Sequence, residues 1–269
     1  MFSLNKISGF ILNQAKRKYK FIEQPVRSKL KSKYVAKTTK YANFYKKNEV
    51  KDHQVLYQAR DGKSMTDSPY AVFKYLLQDK QYKKLEHIWI VDSQKKQKEY
   101  TKKFKSVKHV RFIVKESDEY LEALTTAKYI INNSTFPAYF TKKPNQVYVN
   151  TWHGTPIKAM GLDVEDNLVG SQNIIKNFLS SDILISPNPH TTEVFKRAFS
   201  LKGLYNGDLA EIGYPRIDLT LNSDKKAVHK RLKQSGLKLK KKKTLLFAPT
   251  WRGTNVNQPE AVSYTHLRA

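Results

Sequence analysis

The sequence predicts an α/β chain built on a parallel sheet, and three observations carry that reading. Short, β-branched apolar runs of strand length recur at regular intervals from about residue 53. Segments with helical patterning lie between several of them, which is the alternation that a helix-covered parallel sheet requires. Polar and glycine-containing stretches follow the strand runs, where open α/β sheets gather their ligands.

The strand runs are Val55-Leu56-Tyr57, His87-Ile88-Trp89-Ile90-Val91, Val110-Arg111-Phe112-Ile113-Val114, Tyr129-Ile130-Ile131, Val147-Tyr148-Val149, Ile183-Leu184-Ile185 and Ala210-Glu211-Ile212. Helices are expected over 69–78, 94–104, 117–127 and 190–201. Right-handed crossovers then bring the carboxyl ends of the strands to one edge. Residues 1–50 read as a separate basic extension: Lys and Arg recur with only Glu23 and Glu49 opposing them, and Phe2, Leu4, Ile7, Phe10, Ile11, Phe21 and Ile22 interleave at helical spacing. That composition suits an interfacial helix on anionic lipid, the alternative being a solvated basic helix packed on its own domain. The division expected is an extension over 1–50, a first domain over 51–222, a basic connector over 223–243 and the start of a second domain over 244–261. Residues 262–269 fit nothing before them and are expected to be a non-native tail.

Composition narrows the classes of function. The chain has 269 residues and is 39% apolar, enough for a core, so global disorder is excluded. It has no cysteine, which removes disulfides, thiolate zinc sites and cysteine nucleophiles. Fifty Lys and Arg against 23 Asp and Glu give a formal charge of +27 and imply an anionic partner: membrane, polyphosphate substrate or nucleic acid. No helix-turn-helix, zinc-finger or RNP pattern is visible, so nucleic acid is the rival rather than the expectation. The segment 2–12 is broken by Asn5, Lys6, Ser8 and Gly9 and lacks the form of a signal peptide, and a cytoplasmic, peripheral protein is expected.

The segment with most chemistry is Val149-Asn150-Thr151-Trp152-His153-Gly154-Thr155-Pro156-Ile157-Lys158. It places a group titrating near neutral pH just beyond a strand end, beside a hydroxyl and a cation. Gly154 is expected to make the sharp turn next to the imidazole, and Pro156 to stiffen the exit. A lone histidine at a strand end is more often structural than catalytic; here its neighbours suggest work on an anionic substrate. Arg60, Gly62, Lys63 and Ser64 form a second loop at a strand end. The seven histidines show no paired ligand spacing, so no metal site is expected in the chain. A hydrated magnesium on a substrate diphosphate needs few protein ligands and stays open.

Three ordered motifs carry a resemblance over roughly residues 53–252. The run Thr151-Trp152-His153-Gly154-Thr155-Pro156-Ile157-Lys158, with Gly161 and Asp163 after it, resembles the signature of the CDP-glycerol glycerophosphotransferases of teichoic acid synthesis in Gram-positive bacteria. Ile212-Gly213-Tyr214-Pro215-Arg216-Ile217-Asp218 and Leu246-Phe247-Ala248-Pro249-Thr250-Trp251-Arg252 resemble two further motifs of that family, in the same order. The resemblance implies a GT-B-like fold of two Rossmann-like domains, with only the first and the opening strand of the second in this sequence. It implies transfer of glycerol phosphate from CDP-glycerol to a hydroxyl of a lipid-linked (polyprenyl diphosphate) acceptor, releasing CMP, at the cytoplasmic face of the membrane; a CDP-ribitol donor stays open. In that scheme His153 is the general base. Arg252 meets the donor diphosphate, and Thr155, Lys158 and Gly154 line the substrate site. Arg216 either contacts substrate or forms an ion pair with Asp218 that fixes its turn, the role favoured here.

Overall fold

In the computed structural model, residues 33–237 and the short segments 251–252 and 260–261 are described. The chain divides into two compact units, Met1–Leu221 and Asn222–Ala269. Among the described residues, the first unit runs from helix α1 (Lys33–Lys47) through β1 (Lys51–Gln58), α2 (Asp67–Gln78), β2 (Glu86–Val91), α3 (Gln94–Lys103) and β3 (Val110–Val114). Helix α4 (Asp118–Thr126), β4 (Ala127–Asn132), β5 (Val147–Asn150), α5 (Leu168–Ser180), β6 (Ile183–Ser186), α6 (Pro189–Ala198), β7 (Asp208–Glu211) and α7 (Pro215–Leu221) complete it.

The seven strands form one parallel sheet in the order β3-β2-β1-β4-β5-β6-β7. All seven expected strands are present; the last begins and ends earlier than its apolar run, at Asp208 and Glu211. Both faces of the sheet are covered, and side chains alternate between them with the period of two that a strand imposes. Leu56, Ile88, Ile113, Ile130 and Tyr148 point to one face, where they pack with Tyr120 and Leu124 of α4. Val55, Tyr57, Trp89, Phe112 and Ile131 point to the other, against Phe73 of α2 and Tyr100 and Phe104 at α3. A third cluster forms around Trp152, Phe178, Phe195 and Phe199 and seats α5 and α6 beside β6.

Helix starts follow from local chemistry. Ser93, Ser117 and Asn188 each accept a hydrogen bond from the amide three residues on, at 3.4, 3.1 and 2.9 Å, so orphan donors of the first turn are satisfied. Pro189 occupies the first turn of α6, where its missing N–H is harmless. Helix α5 was not among the expected helices. Its apolar residues are scattered among Asn173, Lys176 and Asn177, and Asn177 is buried to bind the Phe136 amide at 2.8 Å.

The reading of 1–50 as a separate extension is corrected for 33–47. Tyr41 of α1 is buried, packs 5.5 Å from Tyr139 and donates to the Thr141 carbonyl at 2.7 Å. Lys37 pairs with Glu116, and Lys40 with Asp118 at 2.5 Å. This helix is part of the domain; residues 1–32 lie outside the described residues. In the second unit, α8 (Lys225–Gln234) starts on Asp224, whose carboxylate accepts from the amides of Lys226 and Ala227. There β8 (Trp251–Arg252) pairs antiparallel with β9 (Glu260–Ala261). The strand expected from Thr244 lies outside the described residues up to Thr250.

One buried titratable group gives the first unit a pH signature. His87 is the second residue of β2, 2.9 Å from the Tyr57 hydroxyl and edge-on to Phe73, and burial, helped by His109, lowers its pKa from 6.5 to about 4. Between those values the unfolded chain binds the proton that the folded chain refuses, so stability falls as pH drops from 6.5 towards 4. His87→Gln removes that proton uptake, and denaturant midpoints measured from pH 7 to 4 are expected to fall less steeply than in the wild type. An unchanged slope excludes His87 as the source.

Candidate functional site

The strand order places a switch point between β1 and β4. The chain runs outward from β1 to β3, then returns to the other side of β1, so the loops beyond β1 and β4 diverge and leave a crevice. Residues 59–66 follow β1 and 133–135 follow β4, and the two segments meet where the Arg60 amide donates to Asn133 Oδ1. His153 lies three residues beyond β5, the strand next to β4, and so faces the same carboxyl edge.

His153 is anchored through its ring. Its Nδ1 lies 2.7 Å from the carbonyl oxygen of Asn133. A carbonyl only accepts, so Nδ1 carries the hydrogen and Nε2 of the neutral imidazole is left with its lone pair. The residue is exposed, and its ring centroid lies 4.1 Å from that of buried Trp152. Trp152 is fixed in turn by packing on Phe178 and Phe195 and by its amide, which donates to Asn150 Oδ1 at 2.9 Å.

A polar network runs behind the imidazole. Asn133 Oδ1 accepts from the Arg60 amide at 2.9 Å, and its Nδ2 donates to Asp67 Oδ2 at 3.0 Å. Asp67 Oδ1 accepts from the Ser68 amide and from Arg216 Nη1, each at 2.7 Å. Arg216 Nη1 also donates to the backbone carbonyl of His153 at 3.0 Å, while its guanidinium lies 4.2 Å from the Tyr214 ring centroid. Burial, opposed by Arg216, pushes the Tyr214 hydroxyl up to about 12, so it stays protonated at neutral pH.

Backbone strain collects in the same place. Arg60, Asp61, Asp67 and Trp152 have φ of 46°, 56°, 65° and 49°, a left-handed conformation that costs a non-glycine residue on the order of 1–3 kcal/mol. Four such residues beside one histidine are held there by surrounding bonds rather than by their own preference. The sharp turn expected at Gly154 is therefore corrected: the left-handed residue is Trp152, and a Cβ added at Gly154 meets nothing within 4 Å. Gly161 is the glycine that the loop requires, since its φ is 59° and a Cβ would press into the Ala198 carbonyl.

The other sequence-derived candidates divide. Thr155 and Lys158 are exposed on the loop after His153, which is pinned by His190 Nε2 on the Pro156 carbonyl at 3.0 Å. The favoured Arg216–Asp218 ion pair is corrected: Arg216 bonds Asp67, 149 residues away in sequence and across the sheet edge. Arg60 contributes its backbone amide to the crevice. Arg252 belongs to the second unit. Asp67 and Asn133 were not anticipated. Asn132-Asn133-Ser134, three polar residues straight after an apolar strand, is the signal that marks that loop. Among the described residues no three His, Asp or Glu side chains come together in a group that would hold a metal.

Comparison with known proteins agrees with this architecture. A family model described as CDP-Glycerol:Poly(glycerophosphate) glycerophosphotransferase matches residues 39–268. A teichoic acid poly(glycerol phosphate) polymerase of Bacillus spizizenii is 32% identical over 205 residues, covering 74% of this chain and 50% of the relative. A teichoic acid glycerol-phosphate transferase of Staphylococcus aureus is 32% identical over 213 residues, with the same coverage of 74% and 50%. The solved structure of the wall teichoic acid polymerase TagF superposes with a TM-score of 0.65 at 25% identity, covering 90% of this chain and 57% of that one. The chain thus spans half the length of these two relatives, and 30% of a teichoic acid poly(glycerol phosphate) polymerase of Bacillus subtilis that it also matches.

Proposed function

The chain belongs to the CDP-Glycerol:Poly(glycerophosphate) glycerophosphotransferase family, and on that premise we propose that it forms the acceptor-side half of an enzyme that extends teichoic acid. The proposed reaction moves glycerol phosphate from CDP-glycerol to a hydroxyl of a lipid-linked acceptor. The acceptor oxygen forms the new P–O bond, the diphosphate P–O bond breaks, and CMP leaves with the electron pair.

The observation that carries this reading is the state of His153. With Nδ1 donating to the Asn133 carbonyl, Nε2 is an open proton acceptor on an exposed ring at the carboxyl edge of the sheet. That is the position and the protonation state a general base needs to take the proton of an attacking hydroxyl. Thr155 and Lys158, exposed on the adjoining loop, are assigned to acceptor or phosphate contact, and the open space at Gly154 leaves room for the substrate to approach. Arg252, on β8 of the second unit, is assigned to the donor diphosphate, for which a guanidinium fork is well shaped. A hydrated magnesium ion, where one accompanies the donor, supplies charge neutralisation on the diphosphate.

The same proposal places the protein peripherally at the cytoplasmic face of the membrane, where a lipid-linked acceptor is reached. No described helix is long and apolar enough to cross a bilayer. The basic, apolar-interleaved residues 1–32 are assigned to the anionic surface. Sedimentation with phosphatidylglycerol vesicles is expected to weaken when 1–32 are deleted, and undiminished binding contradicts that assignment.

His153→Ala in the full-length protein is expected to cut turnover by at least about 100-fold, the scale of a general-base contribution. Transfer of radiolabel from CDP-glycerol to acceptor membranes reads this out. A near-normal rate refutes the role given to His153.

A further inference from the structure

We propose that Asp67 is a positioning residue for the reaction, acting on His153 through Asn133 and Arg216 without touching the imidazole. The inference rests on the reading of His153 as the base.

The geometry points to this role in three ways. First, Asp67 holds a left-handed backbone, φ 65°, at the first residue of α2, which turns its carboxylate back over the start of its own helix to accept from the Ser68 amide. Secondly, its carboxylate gathers donors from three places: the Ser68 amide, Asn133 Nδ2 and Arg216 Nη1. The α2 N-terminus favours the negative charge it carries there. Thirdly, both of its side-chain partners continue to His153. The Asn133 carbonyl binds the ring Nδ1, and Arg216 Nη1 binds the residue's own carbonyl. His153 is thus held at ring and backbone by two groups whose placement Asp67 sets.

The arrangement differs from a carboxylate bonded directly to a histidine. A backbone carbonyl intervenes, so the charge of Asp67 bears on the orientation of the imidazole more than on its basicity. Removing the charge is therefore expected to lower kcat while leaving substrate affinity nearly in place. It also gives Arg216 a task other than substrate contact, and the two roles separate kinetically.

The test uses the full-length protein and three variants. Asp67→Asn and Arg216→Gln are each expected to lower kcat about 10- to 100-fold, the range for groups that orient a catalytic side chain. KM for CDP-glycerol is expected to stay within about twofold, since no substrate contact is removed. The double variant is expected to be little worse than either single one, because they break the same bond. Asp67→Glu, which keeps the charge, is expected to recover part of the rate. Glu193→Gln breaks the exposed Lys196 pair and serves as a control with unchanged kcat. Should Asp67→Asn fold poorly, Arg216→Gln, at a side chain 29% exposed, carries the same test. Unchanged kcat in Arg216→Gln, or a rise in KM alone with effects that add independently to those of Asp67→Asn, overturns the inference. If His153→Ala is inactive while both of these variants keep wild-type kcat, only the positioning role fails; if His153→Ala is active, the underlying reading fails.

Discussion

The carboxylate of Asp67 is the constraint on which the functional edge of this domain depends, because it binds together loops that the sheet would otherwise leave apart. Its contacts to Asn133 and Arg216 join the segments after β1, β4 and β7, and those two residues close on His153 after β5. A charged acceptor with several donors is stronger than a neutral one, and here it also offsets the charge of the guanidinium beside it. Left-handed backbones at Arg60, Asp61, Asp67 and Trp152 persist because these bonds and the aromatic cluster under Trp152 over-determine them.

The scaffold beneath explains why such an arrangement can be held. A parallel sheet covered on both faces buries the carboxyl-terminal halves of β1 and β4, and its two aromatic-rich layers leave little room for relative motion of β1, β4 and β5. The strand order sends the loops of β1 and β4 in opposite directions, so a crevice is a topological consequence rather than a local accident. Polar residues at the carboxyl ends of those strands, Gln58, Asn132 and Asn150, are fully buried and line the base of this edge.

Much of this was legible in the sequence, for identifiable reasons. Buried parallel strands are largely apolar runs, so β1 to β6 stood out, whereas the caps at Ser93 and Ser117 became visible only in the structure. The position of His153 followed from the strand before it. Helix α5 escaped because Asn177 and Ser171 are buried in it, which blurs the apolar stripe. The turn at Trp152 escaped because glycine is the usual left-handed residue and Gly154 stood two places away. The Asp67–Arg216 pair spans 149 residues, and a favoured local partner, Asp218, lay two residues from Arg216; only the tertiary fold distinguishes them. The N-terminal basic segment read as one extension because its basic residues recur to Lys47, whereas Tyr41 within it packs into the domain's own core.

The tautomer of His153 is the most direct measure of whether this edge is built to accept a proton. Long-range ¹H–¹⁵N correlation spectroscopy of the imidazole, at a pH where the ring is neutral, assigns the hydrogen to one nitrogen. The account predicts hydrogen on Nδ1 and an unprotonated Nε2. Hydrogen predominantly on Nε2 would contradict it, since the Asn133 carbonyl would then not be holding the ring and no acceptor would face the crevice.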